Sequence, residues 1–305
     1  MRFKLIVVVC VLVALWLIPA PAIPQKPKPA AYGPPATIAT LKDKSISESS
    51  GLAASRLTAG AYWTHNDSGD GPFIYAFDTR GASFGVFRVA GAQARDWEDM
   101  AAGPGSEGGK SYLYLGDIGD NNNARSEIVV YRVAEPPLTT ATRKFTKSAP
   151  GTTQPAEAIR LRYPDGAHDA ETLLVHPVSG HIYIITKVVI ANPAVYEAAP
   201  PFTAGKPITM TRLGLVSVPS LFGGIITGGS ISPDGRRVAL CDYFQGYELT
   251  LPATANFNDI WKQSMVSFDL GKRKQGEAIA YRLDGKAILA TSEGRNASVI
   301  QVTRR

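Results

Sequence analysis

An acidic residue recurs at regular intervals along the chain. Glu48, Glu98, Glu171 and Glu277 each stand near the start of a strand-like segment, and Ser230 takes the corresponding place in a further one. A second polar set follows the next strand-like segment of each unit. It comprises His65, Asn66, Asp67 and Asp70; Asp117, Asp120, Asn121 and Arg125; Lys187; Asp242; and Glu293 with Arg295. Clustered carboxylates of this kind suit a hard cation such as Ca2+, which takes about six to eight oxygen ligands. They also suit paired acid and base work on a sugar, with Asp67 beside Glu171 or Glu293 as the pair. Arg125, Lys187 and Arg295 would attract an anionic ligand, phosphoryl groups included. Structural use is the alternative. Glutamates can satisfy backbone N–H groups at strand junctions, and Asp, Asn and Gly are what tight turns require.

Whether these residues meet depends on the elements that carry them. Five units of short apolar strands separated by turns can be traced, opening at Glu48, Asp96, Asp169, Thr227 and Gly276. Turns such as Pro233-Asp234-Gly235 and Leu283-Asp284-Gly285 punctuate them. The units span roughly 50 residues each, which fits propeller blades. The reading is therefore an all-β propeller of about five four-stranded blades over residues 38–305, with six blades as the alternative. The last unit ends at Ser298–Val302 without an outer strand, and Thr37–Leu41 can supply one, closing the ring.

In an antiparallel blade the start of the innermost strand and the end of the second lie on one face. Both polar sets are thus expected on one rim of the central channel: Glu48, Glu98, Glu171, Ser230 and Glu277 as cation ligands, and Asp67, Asp117, Asp120, Arg125, Lys187, Asp242, Glu293 and Arg295 as the ligand-binding surround. Two carboxylates about 6 Å apart at an effective dielectric near 20 repel by roughly 2.8 kcal/mol, so a cation, protons or partner Lys and Arg must compensate. Asn66-Asp67-Ser68-Gly69-Asp70-Gly71 begins like a calcium loop, but position twelve is Phe77 and not Glu.

The N-terminus reads as an export signal. Arg2 and Lys4 precede an apolar run from Leu5 to Ile18 and the small residues Ala20-Pro21-Ala22, so residues 1–22 are expected to be cleaved, with an uncleaved membrane anchor as the alternative. Residues 23–37 are Pro-rich and read as a linker that cannot join a sheet. Cleavage takes Arg2 and Lys4 from a net charge of +6, leaving +4. That mild charge, with no Lys/Arg block interleaved with aromatics, excludes a nucleic-acid partner and leaves an anionic small molecule or cell-envelope component. Cys241 would be the sole cysteine of the mature chain and is read as a buried thiol. The four histidines show no metal or triad spacing, and there is neither a Gly-rich phosphate loop nor Gly-x-Ser-x-Gly.

One Glu or Ser per inner strand, with Trp97-Glu98-Asp99-Met100-Ala101 leading into Tyr112-Leu113-Tyr114-Leu115-Gly116, resembles the five-bladed calcium-dependent apyrases. The resemblance implies a central Ca2+, hydrolysis of nucleotide phosphates, and Glu48 or Ser49, Glu98, Glu171, Ser230 and Glu277 as ligands. Ala170-Glu171-Thr172-Leu173 and Gly276-Glu277-Ala278-Ile279 are also similar to segments of β-propeller phytases and of secreted bacterial propellers. That likeness implies calcium and basic residues holding phosphate. Three functions stay open: a ligand- or partner-binding module with a cation-binding rim, a Ca2+-dependent phosphoesterase, and a carbohydrate-active enzyme that would need Trp63, Tyr243 or Phe244 beside two carboxylates.

Overall fold

A computed structural model describes residues 32–203, 205–220 and 224–305. The export signal and residues 23–31 of the linker lie outside them. Five antiparallel sheets follow one another along the chain. From the innermost strand outward, blade 1 runs Ser49–Ala54, Ala61–Asn66, Phe73–Asp78 and Ser83–Arg88, and blade 2 runs Trp97–Pro104, Ser111–Asp117, Ile128–Ala134 and Glu157–Arg162. Blade 3 has Ala170–Val175, Ile182–Thr186, Ala194–Ala198 and Thr211–Leu215, and blade 4 has Gly228–Ile231, Arg237–Cys241, Gln245–Thr250 and Val266–Asp269. Blade 5 takes Gly276–Tyr281, Ala287–Ser292 and Ser298–Thr303 from the C-terminus and Ala36–Thr40 from the N-terminus. The five innermost strands are neighbours in a closed ring, so the chain is a five-bladed β-propeller.

The second strand of every blade is buried along its whole length, without the buried–exposed alternation of a half-exposed sheet. The packing explains this. Successive side chains point to opposite faces of a blade, and each face meets another blade. Leu173 and Val175 enter the core between blades 2 and 3, while Leu174 enters that between blades 3 and 4. Likewise Leu52 and Ala54 face blade 5 and Ala53 faces blade 2. A fifth core, with Cys241 fully buried in it, joins blades 4 and 5. The hairpins that return the inner strands are set by local chemistry: Asp234 Oδ1 accepts the Arg236 N–H at 3.0 Å, and Gly235 supplies the positive φ of 68°.

Two details depart from the sequence reading. Blades 1 and 2 each gain a fifth, parallel edge strand, Gly151–Thr152 and Ile208–Thr209. The Pro-rich linker also does enter the sheet: Tyr32 bridges Arg304 and stacks on Phe268 at 4.5 Å, and Ala36 pairs with Gln301. Pro34 and Pro35 are compatible with this because they lie on the edge of the sheet, where no ladder donor is needed.

The closing strand leads into Leu41, whose side chain is fully buried between blades 5 and 1. Leu41→Ala is therefore expected to cost about 2–5 kcal/mol. A thermal melt checks this, and a midpoint moved by less than about 3 °C would mean that the closure does little for stability.

Candidate cation site at the channel mouth

Four of the five inner strands are irregular at one end of the channel. In blade 2, Trp97 faces Asp117 and Asp99 faces Gly116, so Glu98 is an extra residue. In blade 3 the same count makes Glu171 the extra residue. Blade 5 has one residue too many between Gly276 and Ile279, the stretch that holds Glu277, and blade 1 one too many between Ser49 and Leu52. Such bulges re-aim a side chain out of the pleat. Blade 4 is in regular register from Gly228 to Ile231 and presents glycines where the others bulge.

The bulges gather carboxylates. Asp67, Asp96 and Glu98 offer oxygens that all lie within 4.8 Å of one another. Burial and the charges of Glu171, Asp67, Asp96 and Asp169 push the Glu98 carboxyl far above the usual range. Burial likewise raises Glu171, against the opposing pull of Lys187, to which it is ion-paired. Glu277 is raised by burial and by Glu293, Glu171 and Asp67. Gln275 Nε2 donates to its Oε1 at 3.0 Å, while the buried Oε2 has no hydrogen-bond partner. Burial, Asp67 and Glu48 also raise Glu293. Glu48 sits at the seam between blades 1 and 5, bridged through its backbone to Glu293.

The sequence-derived set therefore separates. Glu98, Glu171 and Glu277 share the mouth with Asp67 and Glu293, and Glu48 edges it. Ser230 does not: it lines the cavity at the opposite mouth, and its hydroxyl accepts the Tyr281 N–H at 3.2 Å. Asp117 and Arg125 neutralise one another at 2.8 Å in a nearly dry setting. Asp120 accepts the N–H groups of Ala124 and Arg125, holding the same loop. Asp242 closes its hairpin by accepting from Phe244 N, Gln245 N and Tyr247 Oη. Lys187 stays at the rim but is engaged by Glu171 and stands 5.7 Å from the Tyr243 ring centre. Arg295 is exposed beside a cavity of about 330 Å3 that Lys272, Arg273, Lys274 and Glu293 also line.

Asp96 and Asp169 also stand close enough to raise Glu98, and neither is in the sequence-derived set. The signal was present in Asp96-Trp97-Glu98 and Asp169-Ala170-Glu171, an acidic residue two before each bulged glutamate. Gly119 shapes the same place. A side chain there would put Cβ 2.1 Å from Glu98 Oε1 and 2.4 Å from Asp96 Oδ2. Gly119→Ala must displace both carboxylates, so if the mouth holds Ca2+ its affinity is expected to fall by about 10- to 100-fold, a calorimetric titration being the measurement. An unchanged affinity would remove Asp96 and Glu98 from the ligand set.

Oxygens that share one Ca2+ at about 2.3–2.6 Å can lie no more than about 5 Å apart. The triad of Asp67, Asp96 and Glu98 meets that limit, and its all-oxygen donors are of the type a hard cation takes. No protein-family model matches the chain, and no curated protein matches it.

Proposed function

We propose that this propeller binds Ca2+ at the acidic mouth and uses it to hold an anionic ligand or partner. The observation that carries the reading is the convergence of Asp67, Asp96 and Glu98 within 4.8 Å in a half-dry setting. Repulsion among these groups is a cost of folding that a divalent cation removes. Glu171 and Glu277, whose charges act on the triad, stand close to it as further oxygen donors. The export read from residues 1–22 would place the site in an extracytoplasmic compartment. Titration of the metal-free chain with Ca2+ tests the reading: one saturable site that Glu98→Gln abolishes supports it, and no heat of binding overturns it.

A second reading is Ca2+-assisted phosphoester hydrolysis, which the resemblance to apyrases and phytases implied. What favours it is the cavity that the exposed Lys272, Lys274 and Arg295 line beside Glu293. Bound Ca2+ would supply charge neutralisation to a phosphoryl group. Lys272, Lys274 and Arg295 would orient the anion, and Glu277, whose carboxyl burial raises to about 8, would hand a proton to the leaving oxygen as water attacks phosphorus. Carbohydrate chemistry has less support. Trp63 is fully buried against blade 2, so it lines no groove.

A further inference from the structure

The loops of the acidic face carry bare apolar side chains. Val189 and Ile190, in the loop after the second strand of blade 3, are 59% and 92% exposed, and Phe244, at the matching hairpin of blade 4, is 71% exposed. These two loops touch, since Lys187 of the first lies against the Tyr243 ring of the second. They follow second strands whose ends, Thr186 and Cys241, pair with the inner-strand starts Ala170 and Gly228, so they stand on the same rim as Asp67, Asp96 and Glu98. On blade 5, the same face presents Lys272, Lys274 and Arg295, all exposed. One face thus combines isolated apolar tips, a basic arc and a carboxylate mouth fitted to a cation.

We infer that this face docks on an anionic phospholipid surface, with Val189, Ile190 and Phe244 entering the headgroup region and Ca2+ bridging the acidic mouth to lipid phosphate and carboxylate. The inference rests on the cation reading above. Each element has a separate task. Apolar tips gain by leaving water for the acyl boundary. Lys272, Lys274 and Arg295 are drawn to the negative surface potential. The carboxylates alone would be repelled by that surface, so binding must wait for the cation. A soluble protein partner would also cover apolar side chains, but a few exposed apolar loop residues flanked by cationic charge match a fluid anionic surface better than a rigid complementary one.

Cosedimentation of the chain with phosphatidylserine–phosphatidylcholine vesicles in millimolar Ca2+ and in EGTA tests this. Binding in Ca2+, absent in EGTA and weakened at least about tenfold in Ile190→Asp and in Phe244→Asp, is the expected result. Val178→Asp places the same charge at a residue 76% exposed on the opposite face and should leave binding unchanged. Equal loss in all three variants, or equal binding in EGTA, overturns the inference. A Ca2+-induced thermal shift without vesicle binding overturns the lipid surface and keeps the cation site. No thermal shift at all overturns the cation site itself.

Discussion

Adding Ca2+ to the chain in EGTA is expected to raise its unfolding temperature, and to raise it more at pH 8 than at pH 5. A ligand that binds only the folded state at about a hundred times its dissociation constant contributes about 2.7 kcal/mol, or roughly 5–10 °C for a domain of this size. The pH dependence follows from the carboxyls. Glu171 is raised to about 7 and Glu277 to about 8 from an ordinary 4.5, and Glu98 moves in the same direction, with burial the leading cause for each. Between pH 4.5 and these values the folded chain holds protons that the unfolded chain has released. Without metal, stability is therefore highest near and below pH 4.5 as far as these groups decide it, and falls as pH rises through 7 and 8.

Ca2+ competes with those protons, so its binding strengthens over the same window and releases acid. Glu98→Gln separates the two effects. It keeps the shape of the protonated side chain, so in EGTA the variant should be at least as stable as the parent at pH 8, while its Ca2+ response should vanish. Melts at pH 5, 6.5 and 8 with and without Ca2+ would show this. A variant that loses stability in EGTA and keeps its Ca2+ response would make Glu98 a structural group.

How much of this could be read from residue order follows from what each feature depends on. Blade number and ring closure were legible because they rest on short-range signals: apolar runs ended by turns such as Asp234-Gly235, and a β-prone Thr37–Leu41 with no partner nearby. Both stand in the structure. The outer strands of blades 3 and 4 were not legible, because Thr211–Leu215 is mostly exposed with little periodicity and Val266–Asp269 is only four residues long. The shared face of Glu98, Glu171 and Glu277 was deducible from topology, yet their convergence depends on bulges, and a one-residue slip leaves no mark in composition. Ser230 shows the reverse case: it keeps the spacing of the set but sits on a strand without a bulge, and so faces elsewhere. The roles of Asp117, Asp120, Arg125 and Asp242 were out of reach, since Asp and Arg look alike in sequence whether they await a ligand or close their own loop.

Asp99, adjacent to the site yet absent from every sequence-derived set, is expected to be the most costly single residue to truncate. Its side chain is fully buried at the centre of the ring. Oδ1 accepts the Met100 N–H at 2.7 Å, and Oδ2 accepts Leu173 N at 3.0 Å and Gly229 N at 3.2 Å. One carboxyl thus ties the inner strands of blades 2, 3 and 4, and it does so at the level where the regular blade 4 adjoins the bulged ones. Burial pushes its acid well above the usual range, against those three N–H groups. Asp99→Ala leaves three buried donors unpaired at about 1–3 kcal/mol each, a loss of about 3–9 kcal/mol and at least roughly 6 °C in unfolding temperature. Asp99→Asn keeps one accepting oxygen and no charge, so its loss should be clearly smaller. Equal losses in the two variants would show that the negative charge, and not the acceptor geometry, holds the blades. In both, the Ca2+ response measured relative to the variant's own metal-free melt should survive, because Asp67, Asp96 and Glu98 stay in place, and its disappearance would mean that the ring must be rigid at Asp99 for the mouth to bind.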